Sequence, residues 1–197
     1  MSQKVDASHQ FAGFVFKGQL AESALAELMR PSLLPGEVTP EVIAEKVSLH
    51  ELDPDAVSAA GKMAPVYVAI ASFENTVRRL ISDRLLEQKG PTWWEGCVPD
   101  PIKKQARVRR EGEVRERWHG ARGDEPICFT ELGDLSSIIQ HNWDCFSDLL
   151  PSSEWVRALL KGLERSRNVI MHSGQLAVTD IERVGVSIRD WARQVGT

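Results

Sequence analysis

Residues 65–88 read PVYVAIASFENTVRRLISDRLLEQ and carry the most regular helical pattern in the chain. Apolar side chains recur there at steps of three or four residues: Val66, Ile70, Phe73, Val77, Leu80, Ile81 and Leu85. Such steps place the side chains on one face of an α-helix. Glu74 and Arg78 stand four residues apart beside that face, where opposite charges stabilise a helix. The pattern predicts a long helix that begins at Pro65, ends before Gly90 and packs against other helices.

The segments around this helix carry further helix signals and few β signals. Thr39-Pro40 and Asp53-Pro54 each pair an N-cap residue with a proline at the first helical position, which predicts a helix start. Trp93-Trp94 is predicted to lie in a loop. Further helices are predicted at residues 21–29, 39–48 and 134–149, from Asp100, from Ser152 or Ser153 to Ser173-Gly174, and from a capping box at 179–182.

The composition indicates one globular core built from these helices. The chain has 197 residues, of which 42% are hydrophobic and 26% charged, so it is too apolar for a disordered protein. Its net charge of -4 argues against binding nucleic acid through the whole surface, although local basic patches remain compatible with it. We therefore predict an all-α protein with a helical bundle at residues 53–197 and an N-terminal helical extension at residues 1–52.

No cofactor, metal site or membrane span is expected from the sequence. Cys97, Cys128 and Cys145 are odd in number and lack CxxC spacing, which argues against a disulfide scaffold or a zinc ribbon. Residues 1–17 lack the pattern of a signal peptide. No apolar run approaches the ~20 residues that a membrane-spanning helix needs. We expect a soluble, cytoplasmic protein with buried, reduced thiols.

The segment RNVIMH, from Arg167 to His172, is the best candidate for chemistry in the chain. At about 100° per residue, Arg167 falls in an apolar helical stripe about 40° from Leu163, whereas His172 lies about 140° from Arg167. The two side chains therefore diverge on a regular helix. They converge if the helix breaks before Ser173-Gly174, or if a second chain brings its own copy of the segment alongside.

Neighbouring side chains complete this candidate site. A guanidinium in an apolar stripe needs an anion nearby, and Glu74 on the long helix is the candidate partner of Arg167. Asn168 follows Arg167 directly and lies on the side of His172. A structural interpretation stands beside the catalytic one: Arg167 forms an ion pair only, and His172 caps the helix C-terminus, where a cation is favoured.

The sequence around this segment resembles the HEPN superfamily (higher eukaryote and prokaryote nucleotide-binding domains). Its ribonuclease members carry an arginine, four to six further residues and a histidine, often with a polar residue after the arginine. The resemblance is strongest to the subgroup attached to a eukaryotic messenger-RNA surveillance endonuclease and common in bacteria. It covers about residues 56–195 and rests on FENTVRRLI at 73–81, Trp93-Trp94, LGDLSSII at 132–139 with Trp143, and RNVIMHS at 167–173.

This resemblance implies a metal-independent endoribonuclease that acts as a homodimer without a cofactor, in phage defence or as a toxin. His172 would act on the 2′-hydroxyl or on the leaving oxygen, and Arg167 would hold the phosphate. Asn168 would donate a further hydrogen bond, and Ser173 would support the site. Arg165 also fits the spacing but lacks the asparagine neighbour. The expected product ends in a 2′,3′-cyclic phosphate, and the expected partners are RNA, a second copy and an antitoxin or regulatory protein.

The residues between 101 and 122 form a basic segment within an acidic protein. Among its cations, four are predicted to bind RNA: Lys103, Lys104, Arg107 and Arg110. Trp118 and His119 at its end are candidates for stacking on an unpaired base. A solvated helix face with Glu–Arg pairs explains the same charges without RNA. For Trp93-Trp94, packing onto the bundle is favoured over base stacking.

Two other functions fit the same sequence. One is a HEPN-like module that binds RNA, a nucleotide or a protein without cutting, and the other is a helical adaptor in which Arg167 and His172 are structural. Geometry distinguishes them, since catalysis requires both side chains to reach one phosphate and His172 to be exposed. A buried His172 held by a backbone carbonyl would favour the adaptor.

Overall fold

The structure is a computed structural model that describes residues 39–116 and 118–196. These described residues form α-helices joined by loops and short 3₁₀ helices, and they include no β-strand, as the sequence predicts. The chain divides into two compact units, residues 1–53 and 54–197. The helices are α1 Pro40–Lys46, α2 Pro54–Lys89, α3 Trp93–Cys97, α4 Asp100–Arg115, α5 Leu132–His141, α6 Ser153–Met171 and α7 Val178–Val195.

Within the first unit, the structure describes only α1 and the residues that follow it. Thr39 caps α1, because its Oγ1 accepts a hydrogen bond from the backbone N–H of Val42 at 3.4 Å. The helix ends at Lys46, short of the predicted Ser48, since Ser48 has a φ of 55° in the left-handed region. The helix predicted at residues 21–29 lies outside the described residues.

The second unit is organised around α2, which is longer than predicted. We expected a separate helix to begin at Pro65, but α2 runs through this proline without interruption from Pro54. Pro65 removes one backbone hydrogen bond from the helix. Met63 and Val66 on either side of it are buried, and their packing holds the helical path.

By length and composition alone, α2 would also allow a membrane span, with a mean hydropathy of 1.3 in its most apolar window. A core helix of a soluble bundle has the same properties. Only 22% of that window is buried within one chain, so the apolar surface in the first half of α2 is largely exposed.

The predicted apolar faces of the other helices form the core against α2. Val156, Leu160 and Leu163 of α6 are buried there, as are most of the inward positions of α5. Trp191 of α7 is fully buried, with its ring edge-on to Phe73 at a centroid distance of 5.4 Å. These contacts hold α6 and α7 against the middle of α2, next to Glu74.

Three further predictions about the elements are wrong. Trp93-Trp94 does not lie in a loop, because it begins the short helix α3, where both rings pack against the core. The helix predicted to run to residue 149 ends at His141. There the buried Asn142 side chain donates hydrogen bonds to the backbone oxygens of Ile138 at 2.8 Å and Cys97 at 2.9 Å.

The third correction concerns the last helix. The capping box predicted at residues 179–182 is not formed, since α7 begins at Val178 after Ala177, which has no side-chain cap. The carboxylate of Asp180 instead accepts a hydrogen bond from Arg183 at 2.7 Å. The inward positions predicted for this helix are nevertheless confirmed by packing against the core: Ile181, Val184, Ile188, Trp191 and Val195.

Candidate active site

Arg167 reaches the candidate site because the buried face of α6 carries it toward α2. Ser152 caps α6 by accepting a hydrogen bond from the N–H of Trp155 at 3.1 Å, which sets the helical phase. Leu163, one turn before Arg167, is buried in the core. Arg167 therefore points toward α2, with 30% of its side chain exposed, and its Nε lies 3.9 Å from Oε2 of Glu74. The structure thus brings the expected pair together.

Glu74 connects two arginines at this point. It is only 7% exposed, and its Oε1 accepts a hydrogen bond from Nη2 of Arg78. That same Nη2 donates to the backbone oxygen of Thr130 at 2.8 Å, while Nη1 donates to Oδ1 of Asn75 at 2.8 Å. A buried carboxylate is tolerated only when charged hydrogen-bond donors surround it. Glu74 is therefore satisfied chiefly by Arg78, and Arg167 makes only the longer contact.

An open cavity of about 380 Å³ lies over these side chains. We call it the Arg167 cavity; its lining includes Tyr67, Glu74, Arg78, Arg122, Cys128, Glu131, Arg167 and Met171. Arg122 enters from the segment between α4 and α5 and pairs with Glu113 at 2.6 Å. Three guanidiniums and two carboxylates line this cavity, and the pairing of Arg122 with Glu113 adds a third carboxylate, so the charges are close to balanced. Arg167 is the guanidinium without a close partner, since its contact with Glu74 is 3.9 Å long. This arrangement suits an anion such as a phosphate.

His172 lies at the C-terminal end of α6, where the chain turns sharply. The N–H of Gly174 donates to the oxygen of Val169 at 2.8 Å, and that of Ser173 donates to the oxygen of Ile170 at 3.0 Å. Ser173 has a φ of 61°. This pattern is a Schellman motif, with His172 as the C-cap residue. The helix therefore ends where the Ser173-Gly174 pair predicts.

The side chain of His172 is exposed, and within the described residues its ring has no hydrogen-bond or ion-pair partner. It does not line the Arg167 cavity. The turn after α6 therefore does not bring Arg167 and His172 to one cavity within a single chain. Asn168 and Arg165 are exposed as well, on the face of α6 that we expected to carry them with His172.

The turn at Gly174 provides a test of what holds His172 in place. A Cβ at this position would lie 2.7 Å from Cγ1 and 2.8 Å from the backbone oxygen of Val169. Gly174→Ala is therefore expected to lower the free energy of unfolding by more than about 1 kcal/mol, measured by urea denaturation. Ser173→Gly is the matched control and should raise it by about 0.5 kcal/mol, since glycine adopts a positive φ without strain. Equal stability of Gly174→Ala and wild type would contradict this account.

The four predicted RNA-binding residues line a second cavity, of about 470 Å³. We call it the basic cleft; it lies beside α3 and α4, and its lining includes Trp94, Glu95, Asp100, Lys103, Lys104, Arg107, Arg110 and Pro126. The helix that carries these cations ends at Arg115. Trp118 and His119 lie beyond the helix end, are exposed and line neither cavity.

Arg78 and Arg122 were not predicted as members of the site. Arg78 was interpreted only as the helical partner of Glu74 beside the apolar face, and this four-residue spacing was the available signal. Arg122 was counted only among the cations of the basic segment, because it lies in an irregular stretch without a periodic signal for direction.

Cys128 lines the Arg167 cavity together with Glu74 and Glu131. Within the described residues, no three His, Cys, Asp or Glu side chains are close enough to hold a metal ion together. All three cysteines are free. Burial raises the pKa of the Cys145 thiol, which keeps it protonated and unreactive near neutral pH.

Comparison with known proteins agrees with the expected resemblance. Residues 69–196, about two thirds of the chain, match the family model described as Swt1-like HEPN. No curated protein and no solved structure gave a significant match. The matched span includes the second half of α2, the Arg167 cavity, the basic cleft and the turn at His172. This chain therefore belongs to the HEPN superfamily, in its Swt1-like subgroup.

Proposed function

We propose that this protein is a metal-independent endoribonuclease whose active site combines Arg167 and His172 from two copies of the chain. The observation that carries this proposal is the position of Arg167. Its guanidinium lines an open cavity and makes only a 3.9 Å contact with Glu74, whose other oxygen is bound by Arg78. The donors of Arg167 are thus available for a phosphate group.

His172 supplies the proton transfers in this proposal. Its imidazole is exposed at the end of α6, and imidazole is the side chain that most often serves as a general acid or base. The 2′-oxygen of a ribose attacks the adjacent phosphorus while its proton passes to a neutral His172, and the bond to the 5′-oxygen breaks. His172, now an imidazolium, gives this proton to the leaving 5′-oxygen and returns to its neutral form. The products are a 2′,3′-cyclic phosphate and a 5′-hydroxyl end, and Arg167 stabilises the charge that develops on the phosphate.

Exposed apolar side chains support the participation of a second copy. Tyr67 is 45% exposed and Met171 55% exposed, and both line the Arg167 cavity. An apolar patch around a polar cavity is typical of a surface that another chain covers. In a two-fold dimer each chain presents the same patch, so His172 of one copy can approach Arg167 of the other.

The test is cleavage of labelled total RNA and tRNA by the wild-type protein in the presence of EDTA. We expect cleavage that EDTA does not abolish, with 2′,3′-cyclic phosphate and 5′-hydroxyl ends detected by end-group labelling. Loss of all cleavage in EDTA, recovered by adding Mg²⁺, would contradict the metal-independent mechanism.

By family resemblance we also propose a role in phage defence or as a toxin, with an antitoxin or regulatory protein as partner.

A second function is favoured by one observation, namely the absence of His172 from the Arg167 cavity of the single chain. A protein that only binds RNA, a nucleotide or a partner protein needs the cavity but not the histidine. A well-folded dimer that binds RNA tightly and cuts none of it would support this binding module instead.

A further inference from the structure

The basic cleft is separate from the candidate cleavage site and is chemically distinct from it. The two cavities share none of their lining residues. In the Arg167 cavity the guanidiniums lie beside carboxylates, among them the buried Glu74. In the basic cleft Glu95 and Asp100 both lie near Lys103, and the other three cations of the lining have no carboxylate partner in the described residues. In a protein with a net charge of -4, such a local concentration of positive charge requires its own explanation.

The cations of α4 fall into two groups according to their contacts. Arg109 turns toward the bundle, where its Nη1 donates to the oxygen of Phe129 at 2.8 Å and pairs with Asp134 at 2.9 Å. Lys103 is also engaged, since its Nζ lies 2.9 Å from Asp100 and 2.8 Å from the oxygen of Glu95. These two cations attach α4 to its neighbours.

The second group comprises Lys104, Arg107 and Arg110. Their side chains have no ion pair or hydrogen bond to any residue in the described ranges, and all three are exposed at the cleft. They follow each other at steps of three residues and so form a ridge along α4. At 1.5 Å per residue, the ridge extends about 9 Å along the helix axis. A row of three unpaired cations suits the backbone phosphates of one strand.

Trp94 adds an aromatic surface to this ridge. Its ring lines the cleft and is held edge-on by Trp93 at a centroid distance of 5.7 Å, with both rings packed against the core. Sites that combine a basic ridge with a fixed aromatic ring are typical of single-stranded nucleic acid binding, because an unpaired base can stack on the ring. Bases within a duplex are already stacked on each other. The cleft is therefore better suited to a single strand.

The two cavities lie on either side of one short segment. Pro126, at the start of the 3₁₀ helix Pro126–Phe129, lines the basic cleft, and Cys128 in the same turn lines the Arg167 cavity. Arg109 fixes α4 to this segment through its bond to Phe129. The two cavities are therefore neighbours, with this short turn between them.

We propose that the basic cleft is a second RNA-binding site, which holds the backbone of a single strand next to the phosphate that is cut. This inference rests on the proposed ribonuclease function for its biological meaning, but the binding itself does not require cleavage. Lys104, Arg107 and Arg110 hold phosphates, and Trp94 receives a base. Lys103 was predicted from the sequence to bind RNA, but in this proposal it holds the wall of the cleft in place.

The test measures binding of a fluorescent 2′-O-methyl oligo(U) of about 12 nucleotides, within the usual range of single-strand sites. This probe lacks the free 2′-hydroxyl that cleavage needs, so binding and cutting are measured independently. The triple variant Lys104→Gln, Arg107→Gln, Arg110→Gln is expected to raise the Kd by about 10- to 100-fold at 0.15 M salt. It should also reduce the slope of log K against log salt by about 2, because each lost phosphate contact removes about 0.7.

A second triple variant controls for the change in net charge. Arg79→Gln, Arg183→Gln, Arg193→Gln removes three exposed arginines that line neither cavity described above, and both Kd and slope should remain close to wild type. Equal losses in the two triple variants would overturn the proposal, since they would reveal a general charge effect. Unchanged binding by the cleft variant would overturn it as well and would leave the cleft for an acidic protein partner.

Cleavage kinetics separate this inference from the proposed function. With an RNA that is cut, the cleft variant should have a raised KM and a nearly unchanged kcat, because the cleft binds substrate and transition state equally. If the wild-type protein cuts no RNA but the cleft variant loses oligonucleotide binding, the ribonuclease proposal is rejected and the second RNA-binding site is supported. If the cleft variant cleaves RNA with the wild-type KM and binds the oligonucleotide with the wild-type salt dependence, only the second RNA-binding site is rejected.

Discussion

Replacement of His172 by alanine is expected to lower the rate constant of RNA cleavage by about 100- to 10,000-fold, the usual contribution of a general acid or base. The imidazole is exposed and makes no contact within the described residues that its loss would disrupt. The free energy of unfolding should therefore stay close to that of wild type. Single-turnover cleavage of a labelled RNA measures the rate constant, and urea denaturation of the same preparation measures the stability.

His141→Ala provides the matched control for this prediction. His141 is also exposed and lies at the end of a helix, but it lines neither cavity. We expect the His141 variant to cut RNA at the wild-type rate. If His172→Ala retained that rate as well, the proton-transfer role of His172 would be rejected. Arg165→Ala distinguishes the two arginines that fit the spacing, and it should have far less effect than Arg167→Ala.

A mixing experiment tests whether the site is shared between two chains. Arg167→Ala and His172→Ala proteins should each be inactive alone. When equal amounts exchange subunits, half of the dimers combine one chain of each kind, and one of their two sites keeps both native residues. We expect recovery of about a quarter of the wild-type activity. If both residues act within one chain, no mixed dimer contains an intact site, and activity stays absent.

The apolar faces of the helices could be predicted from sequence because periodicity reports burial directly. The stripe on α2 and the one on α6 were both assigned correctly, and this placed Glu74 and Arg167 opposite each other. Helix boundaries were less predictable, since they depend on contacts distant in sequence. Pro65 resembles a helix start, yet buried neighbours on both sides carry α2 through it. Asn142 ends α5 by binding the oxygen of Cys97, which no local pattern could reveal.

The candidate site was predictable to the extent that its residues lie on regular helices. Arg167 and its contact with Glu74 followed from helical phase alone. Arg122 enters the cavity from an irregular segment, where sequence contains no periodic signal for direction. The four basic residues of α4 that were predicted together line one cleft. Lys103 is engaged by Asp100 and Glu95, whereas Lys104, Arg107 and Arg110 are unpaired within the described residues, and the spacing in sequence does not reveal this difference.

Replacement of Glu74 by glutamine is expected to lower the free energy of unfolding by about 3 kcal/mol, the usual cost of breaking a buried ion pair. Glu74 is 7% exposed and accepts the hydrogen bond of Arg78, whose Nε is buried and has no hydrogen-bond partner within the described residues. The amide cannot neutralise this guanidinium, so a charge remains buried without its partner. Urea denaturation measures the loss. Asp148→Asn is the matched control: it removes an exposed carboxylate paired with Arg84 and should change stability much less.

The same variant also tests how Glu74 supports Arg167. A double-mutant cycle with Arg78→Gln should give a larger coupling energy than a cycle with Arg167→Gln, since Arg78 bonds Glu74 directly while Arg167 stands 3.9 Å away. At a temperature where Glu74→Gln remains folded, cleavage should also fall, because the guanidinium of Arg167 loses its fixed orientation. Unchanged stability and unchanged cleavage in Glu74→Gln would reject this role. A loss of stability with full cleavage would reduce Glu74 to a structural partner of Arg78 and leave Arg167 to be oriented by the RNA phosphate itself.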